Sequence, residues 1–333
     1  EYSGSEYLMG KSPRSLAEQV RKESLAAEKR IRDHIRETPA EHSLFLGRLG
    51  SSRVYVKCEN FQLTGSFKIR GAVNKILSLS EEEKNRGLMT ASSGNHGAAF
   101  SWVLNRFSLK GTVVLPEITA STKIDSLLLY GTDIIKHGDD CVEAERFGRQ
   151  TAEKRGLTYI PPYNDPQIIG GQGTIGIELT RQVPNIDCVL VPVGGGGLIA
   201  GIAGYLKSEN NNITIIGCQP ENSAVMYESV KAGKILDLES KPTISDGSAG
   251  GIERDTITFP ICQELVDDFI LVSEDEIISA IKLIMKKHHM LVEGSAVLPV
   301  AGFIKQKSRF EGKNVVLILS GSKISLETLK KIL

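Results

Sequence analysis

The chain has 333 residues with 40 basic and 40 acidic side chains, so no charge excess points to nucleic acid or to an anionic membrane. A hydrophobic fraction of 41% and a charged fraction of 24% read as a soluble globular protein long enough for about two domains. No apolar run approaches the roughly 18–20 residues of a membrane span, and residues 1–11 lack the apolar core of a signal peptide, so a cytoplasmic protein is expected.

In chain order, residues 13–37 form a charged helical segment that should stop near Thr38-Pro39, because a residue before proline resists the α region. Short β-branched runs follow at 53–58, 112–115, 133–136, 157–160, 187–193, 213–218, 269–272 and 314–319. Between them, 165–182, 223–232, 274–288 and 296–306 carry amphipathic spacing. Such alternation predicts an α/β fold with mostly parallel sheets flanked by helices. The units between 87 and 162 are compact enough for a small inserted α/β domain, which leaves 1–86 and 163–333 for the large one. Five cysteines without a CxxC pair read as buried reduced thiols, and six histidines without HxxxH or HExxH spacing predict no metal site.

Four stretches carry candidate chemistry. Lys68, between Phe67 and Ile69, begins a helical segment. A semi-apolar setting lowers a lysine pKa and frees its amine for covalent chemistry, although an exposed helix lysine is the plain alternative. Ser92, Ser93, Gly94, Asn95 and His96 open the next helix, where hydroxyl and amide groups beside free N–H groups make either a carboxylate cradle or a simple cap. His96 alone reads more readily as a structural histidine. A buried strand then enters Gly194, Gly195, Gly196 and Gly197, followed by Leu198 and an apolar helix. Consecutive glycines let the main chain approach a ligand, and the helix start favours a phosphate. A plain turn remains open, as does a dinucleotide loop, since Gly195, Gly197 and Ala200 fit GxGxxA with Glu221 further on. Finally, Ser320 ends a buried strand, where α/β sheets place ligands.

Taken in order, these stretches resemble the tryptophan-synthase-β-like, fold-type II family of pyridoxal 5′-phosphate (PLP) enzymes, in its serine/threonine dehydratase and serine racemase branch. The resemblance implies that Lys68 holds the cofactor by a Schiff base, with Phe67 against its ring. It implies Asn95 at the phenolic oxygen, Gly194 to Gly197 and the Leu198 amide at the phosphate, and Ser320 at the pyridine nitrogen. Ser92, Ser93, Gly94 and His96 would grip the substrate carboxylate. Glu293 matches an acidic residue near the site, although a helix cap is the plain alternative. The loop 245–251 matches a loop near the cofactor or is a surface connection. Two departures stand out. Gln219, Ser223 and Val225 occupy positions where relatives carry cation ligands, so no such metal is expected. Ser322-Lys323 replaces the usual Gly-Asn, which removes the basis for nucleotide activation.

The expected activity is therefore elimination from L-threonine, L-serine or a related 3-hydroxy amino acid, giving a 2-keto acid and ammonia, with Lys68 as the Cα base. Racemisation on the same scaffold, with Lys68 and Ser93 on opposite faces, is the alternative. A nucleotide-dependent oxidoreductase is a remote one, because it leaves Lys68 and the 92–96 loop unused. A small amino-acid substrate and a homodimer are the expected partners, with neither nucleic acid nor membrane.

Overall fold

The structure is a computed structural model in which residues 12–333 are described; the expectation for residues 1–11 lies outside them. Its strands are β1 Ala40–His42, β2 Arg53–Cys58, β3 Leu88–Ala91, β4 Gly111–Leu115, β5 Asp133–Lys136, β6 Thr158–Tyr159, β7 Cys188–Pro192, β8 Thr214–Pro220, β9 Asp268–Val272 and β10 Asn314–Leu319. They make a six-stranded sheet in the order β1-β2-β10-β7-β8-β9 and a four-stranded sheet in the order β5-β4-β3-β6. All pairings are parallel except β1 with β2. Every residue of β7, and all but the first of β10, is buried. Continuous apolar runs such as 188–193 therefore mark strands covered on both faces, as parallel sheets require. No helix among the described residues is long and apolar enough to cross a membrane.

Two strands escaped the sequence reading for different reasons. β1 is a three-residue edge strand of Ala, Glu and His with no apolar alternation. β3 is Leu-Met-Thr-Ala, buried throughout but too short and too poor in β-branched residues to stand out. The first helix also ends earlier than expected, at Ile31, followed by a 3₁₀ turn Arg32–His34. The chain is drawn inward here: Arg32 reaches Glu178 at 2.8 Å and the Thr38 carbonyl accepts from Lys57 Nζ at 2.6 Å. The 296–306 helix is likewise shorter, a 3₁₀ turn Ser295–Val297 leading into Leu298–Lys305 with Pro299 near its start.

Helix Pro166–Gln182 organises the large layer. Asp165 caps it, accepting from the N–H groups of Gln167 and Ile168, and Pro166 suits its first turn. It packs against helices Pro13–Ile31, Lys68–Ser78 and Gly197–Glu209. A Cβ at Gly171 would stand 2.6 Å from the Arg70 carbonyl oxygen and from Gly71 Cα, so glycine is what lets the two backbones meet. Beneath this contact lies a buried ion cluster. Lys57, Glu59, Arg70 and Glu178 are all fully inaccessible to solvent. Arg70 donates to Glu59 (2.7 and 2.8 Å), to Glu178 (2.7 and 2.8 Å) and to Thr174 (3.1 Å). Lys57 Nζ completes the cluster on Glu178 at 2.5 Å. These fully paired charges fix the first turn of the helix that begins with Lys68.

Candidate active site

Ligands of parallel sheets gather beyond the carboxyl ends of the strands. Because β2, β10 and β7 run side by side in one direction, the segments leaving them are neighbours. Ser320 leaves β10 and is 2% exposed; its carbonyl accepts the Phe67 N–H at 3.1 Å, and Gly321 bridges to Ser66. This joins the end of β10 to the start of helix Lys68–Ser78.

Lys68 is partly buried at that helix start. Its Nζ donates to the Pro162 carbonyl at 2.8 Å and lies 5.4 Å from the Phe67 ring centre. Burial lowers its pKa to about 8, against the opposing pull of Glu293 and Glu145. An ordinary lysine is roughly 0.03% neutral at pH 7, whereas a pKa of about 8 gives roughly a tenth.

Pro162 links Lys68 to the glycine loop, because the next residue, Tyr163, packs on it. A Cβ at Gly195 would stand 2.6 Å from the Tyr163 ring, and one at Gly197 would stand 2.9 Å from Tyr163 Cβ. Gly196 has φ +85°, a left-handed conformation that glycine adopts without strain. Thr258 Oγ1 donates to the Gly195 carbonyl at 2.7 Å. Helix Gly197–Glu209 starts immediately, with Leu198 as its second residue. The 245–251 segment is no loose surface connection, since a Cβ at Gly194 would lie 3.0 Å from Ser248 Cα.

The third side comes from β3, which ends at Ala91 and delivers Ser92, Ser93 and Gly94 to the start of helix Asn95–Phe107. The Gly94 N–H donates to Ser92 Oγ at 3.3 Å. Asn95 Nδ2 donates to both oxygens of Glu293 (2.9 and 3.0 Å), while its Oδ1 is buried with no partner among the described residues. His96 differs from its neighbours. Its ring is buried, Nε2 meets the Ile160 carbonyl at 3.1 Å, and burial drives its pKa down to about 3. That is the arrangement of a neutral structural histidine, so only its place in the loop, not its ring Nε2, is available to a ligand.

Several groups at the site carried no sequence signal. Pro162, Tyr163 and Thr258 are ordinary residues until folding brings them to Lys68 and the glycines. Glu253 accepts from Arg149 (2.9 Å) and Asn164 (2.8 Å), and its N–H donates to Tyr163 Oη at 2.9 Å. Glu293 does not cap a helix with its side chain: it accepts from Asn95 and from the Lys323 N–H at 3.0 Å. At the positions aligned with cation ligands, the buried Gln219 amide donates to the Val193 carbonyl at 3.2 Å and accepts the Tyr227 N–H at 2.7 Å. Among the described residues, no three His, Cys, Asp or Glu side chains are grouped to hold a metal.

Comparison with known proteins shows the family. The pyridoxal-phosphate dependent enzyme family matches residues 31–321. A catabolic L-threonine dehydratase of Staphylococcus aureus is 40% identical over 300 residues, covering 89% of this chain and 86% of its own. A processed threonine deaminase isoform of Solanum lycopersicum superposes with a TM-score of 0.90 at 36% identity, covering 95% of this chain and 92% of that one. Maize serine racemase superposes with a TM-score of 0.88 at 33% identity, covering 93% and 95%. The chain therefore belongs to the family of pyridoxal-phosphate dependent enzymes, in its fold-type II class.

Proposed function

We propose that this enzyme is an ammonia-lyase that eliminates water from L-threonine, L-serine or a related 3-hydroxy amino acid, the released enamine then taking up water to give a 2-keto acid and ammonia. The observation that carries the reading is the Lys68 amine, desolvated to a pKa of about 8 and joined through Pro162 and Tyr163 to the glycine loop. The similarity to threonine dehydratases and deaminases supports the reaction class.

The residues present suit pyridoxal phosphate. Asn95 Oδ1 is a buried polar atom without a partner, and Tyr163 closes one side of a glycine turn where any side chain would collide. In this reading Lys68 holds the cofactor covalently and Phe67 packs on its ring. Asn95 meets the phenolic oxygen, and Ser320 meets the pyridine nitrogen. The N–H groups of Gly194 to Gly197 and Leu198 receive the phosphate, helped by the positive end of helix Gly197–Glu209.

When bound, pyridoxal phosphate supplies the electron sink that makes a substrate Cα–H acidic and lets the β-hydroxyl depart. Ser92, Ser93 and Gly94 hold the substrate carboxylate at the start of helix Asn95–Phe107. Once the substrate's amine displaces it from the cofactor, Lys68 Nζ would be free to take the Cα proton, for which a pKa near the working pH is suited. Ser320 offers the ring nitrogen a neutral hydroxyl rather than a carboxylate, which favours prompt loss of the hydroxyl group. The serine racemase similarity and the presence of Ser93 support racemisation as a second activity of the same site.

The proposal extends to organisation. Residues 87–162, which contain β3 to β6, form the small inserted domain, and 1–86 with 163–333 form the large one. A homodimer is supported by the exposed apolar side chains of Leu44, Phe45, Phe61 and Leu291. A cytoplasmic setting is supported by five unpaired cysteines, four of them buried.

Purified protein is expected to show a visible absorption band that borohydride abolishes while fixing the cofactor to Lys68. Incubation with L-threonine and L-serine is expected to release keto acid and ammonia in excess of D-isomer. A colourless protein without cofactor by mass, or D-isomer formation without keto acid, overturns the reading.

A further inference from the structure

Glu293 is a buried carboxyl with no ion-pair partner. It is 4% exposed, and among the described residues no lysine, arginine or histidine nitrogen comes within salt-bridge distance of it. Its oxygens accept instead from Asn95 Nδ2 (2.9 and 3.0 Å) and from the Lys323 N–H (3.0 Å). Gly321 covers it so closely that a Cβ there would stand 2.8 Å from Oε1. The charged groups facing it are Asp246 from the serine-glycine loop, Lys323 from the segment after β10 and Lys68 from the helix start. Burial pushes its pKa up to about 7 and Asp246 adds to the rise, while the Asn95 and Lys323 hydrogen bonds oppose it.

Asn95 is the other half of the device. A carboxamide has one donor end and one acceptor end. An ionised carboxylate can only accept, so it takes the donor end and leaves Oδ1 facing away, where it is buried and unpartnered. A buried polar atom left this way is destabilising unless a ligand satisfies it. A protonated Glu293 can donate. The amide can then turn over, with Oδ1 accepting from the Glu293 hydroxyl and Nδ2 occupying the outward position.

We propose that Glu293 is a positioning residue whose protonation state decides whether Asn95 offers the bound cofactor a donor or an acceptor. The inference rests on the reading above that Asn95 meets the cofactor's phenolic oxygen. With Glu293 neutral, the outward Nδ2 stabilises that oxygen in its ionised form. With Glu293 ionised, the outward Oδ1 favours the protonated form. As Glu293 gives up its proton to solvent, the ring oxygen takes one from the nitrogen that joins the cofactor to Lys68, so the site loses one proton overall and the amide transmits the change.

The test is the visible spectrum of the holoenzyme between pH 5.5 and 9, which responds to the ring oxygen's ionisation irrespective of turnover. Wild type is expected to pass between two spectra with a midpoint within about one unit of 7. Glu293→Gln replaces the carboxyl by a carboxamide that does not titrate and is expected to hold one spectrum across the range. Glu293→Asp retains a titrating carboxyl and is expected to keep the transition with a moved midpoint. Asn95→Ala removes the transmitter and is expected to lose the transition, and it decides the question alone if Glu293→Gln does not fold. A wild-type spectrum that does not titrate, or a transition that survives in Glu293→Gln or Asn95→Ala, overturns the proposal. A band that shifts in Asn95→Ala but still titrates overturns the proposal alone, whereas a band identical to wild type at every pH overturns the placement of Asn95 as well, which separates the two failures.

Discussion

Replacing Glu178 by glutamine tests how the fold seats its reactive lysine. The buried cluster contains two fully buried cations, Lys57 and Arg70, and two anions, Glu59 and Glu178, while the half-buried Arg32 that also reaches Glu178 is paired with Glu28, so it is neutral as it stands. Glu178→Gln leaves one positive charge in excess and turns an amide donor toward groups that only donate. Removing one partner of a buried pair destabilises by about 3–5 kcal/mol. The structure also bounds the loss. Arg70 cannot shed its proton, but Lys57 can, and burial already holds its pKa below the ordinary value. Neutralising a lysine of ordinary pKa at pH 7 costs about 5 kcal/mol, falling by about 1.4 kcal/mol per pH unit to about 2 at pH 9. The deficit is therefore expected to be about 3–5 kcal/mol at pH 7 and to shrink toward about 2 kcal/mol at pH 9. On the acid side, the folded-state pKa of Glu178 is lowered to about 2. Its stabilisation is present above its unfolded value near 4.5 and is lost as pH falls toward 2. Urea unfolding of wild type and variant holoenzyme, followed by far-ultraviolet circular dichroism at pH 7 and pH 9, reads both quantities. A deficit below about 1 kcal/mol at pH 7, or one that does not shrink at pH 9, would refute the reasoning.

The rate at which cofactor-free enzyme captures pyridoxal phosphate should rise about tenfold per unit as pH approaches about 8 and level above it, since only the neutral Lys68 amine reacts; stopped-flow absorbance reads it, and a midpoint near 10 contradicts the lowered pKa. Gly195→Ala forces the Tyr163 ring to move from a contact of 2.6 Å, which costs about 1–3 kcal/mol and should weaken cofactor binding roughly 5- to 150-fold in equilibrium dialysis. Ser93→Ala should reduce any D-isomer formation by at least about 100-fold while keto acid release falls less than about tenfold. Equal losses would assign Ser93 to substrate binding rather than to a proton.

The fold class was legible because parallel strands buried on both faces leave continuous apolar runs, and 188–193 and 314–319 are such runs. The lysine, the serine-asparagine loop, the glycines and Ser320 were legible because each needs a particular residue type at a fixed place on its own element. β1 and β3 were not, because an edge strand of three residues without apolar alternation and a buried strand of four ordinary ones owe their conformation to their neighbours in the sheet. His96 shows a motif member whose ring serves the fold, held by the Ile160 carbonyl from the adjoining segment.

By itself, then, the order of residues determined that a lysine and a serine-asparagine loop open two helices, that glycines follow one buried strand and that a serine ends another, because those placements are local. Only the tertiary structure decided how they act. It put the Pro162 carbonyl against Lys68, Tyr163 over Gly195 and Glu293 beneath Asn95, pairs separated by 94, 32 and 198 positions that no local pattern connects. Proton affinities follow from those encounters, since desolvation and neighbouring charge exist only once the chain has closed around the group. Lys68 is a lysine in the sequence; packing is what lowers its hold on a proton.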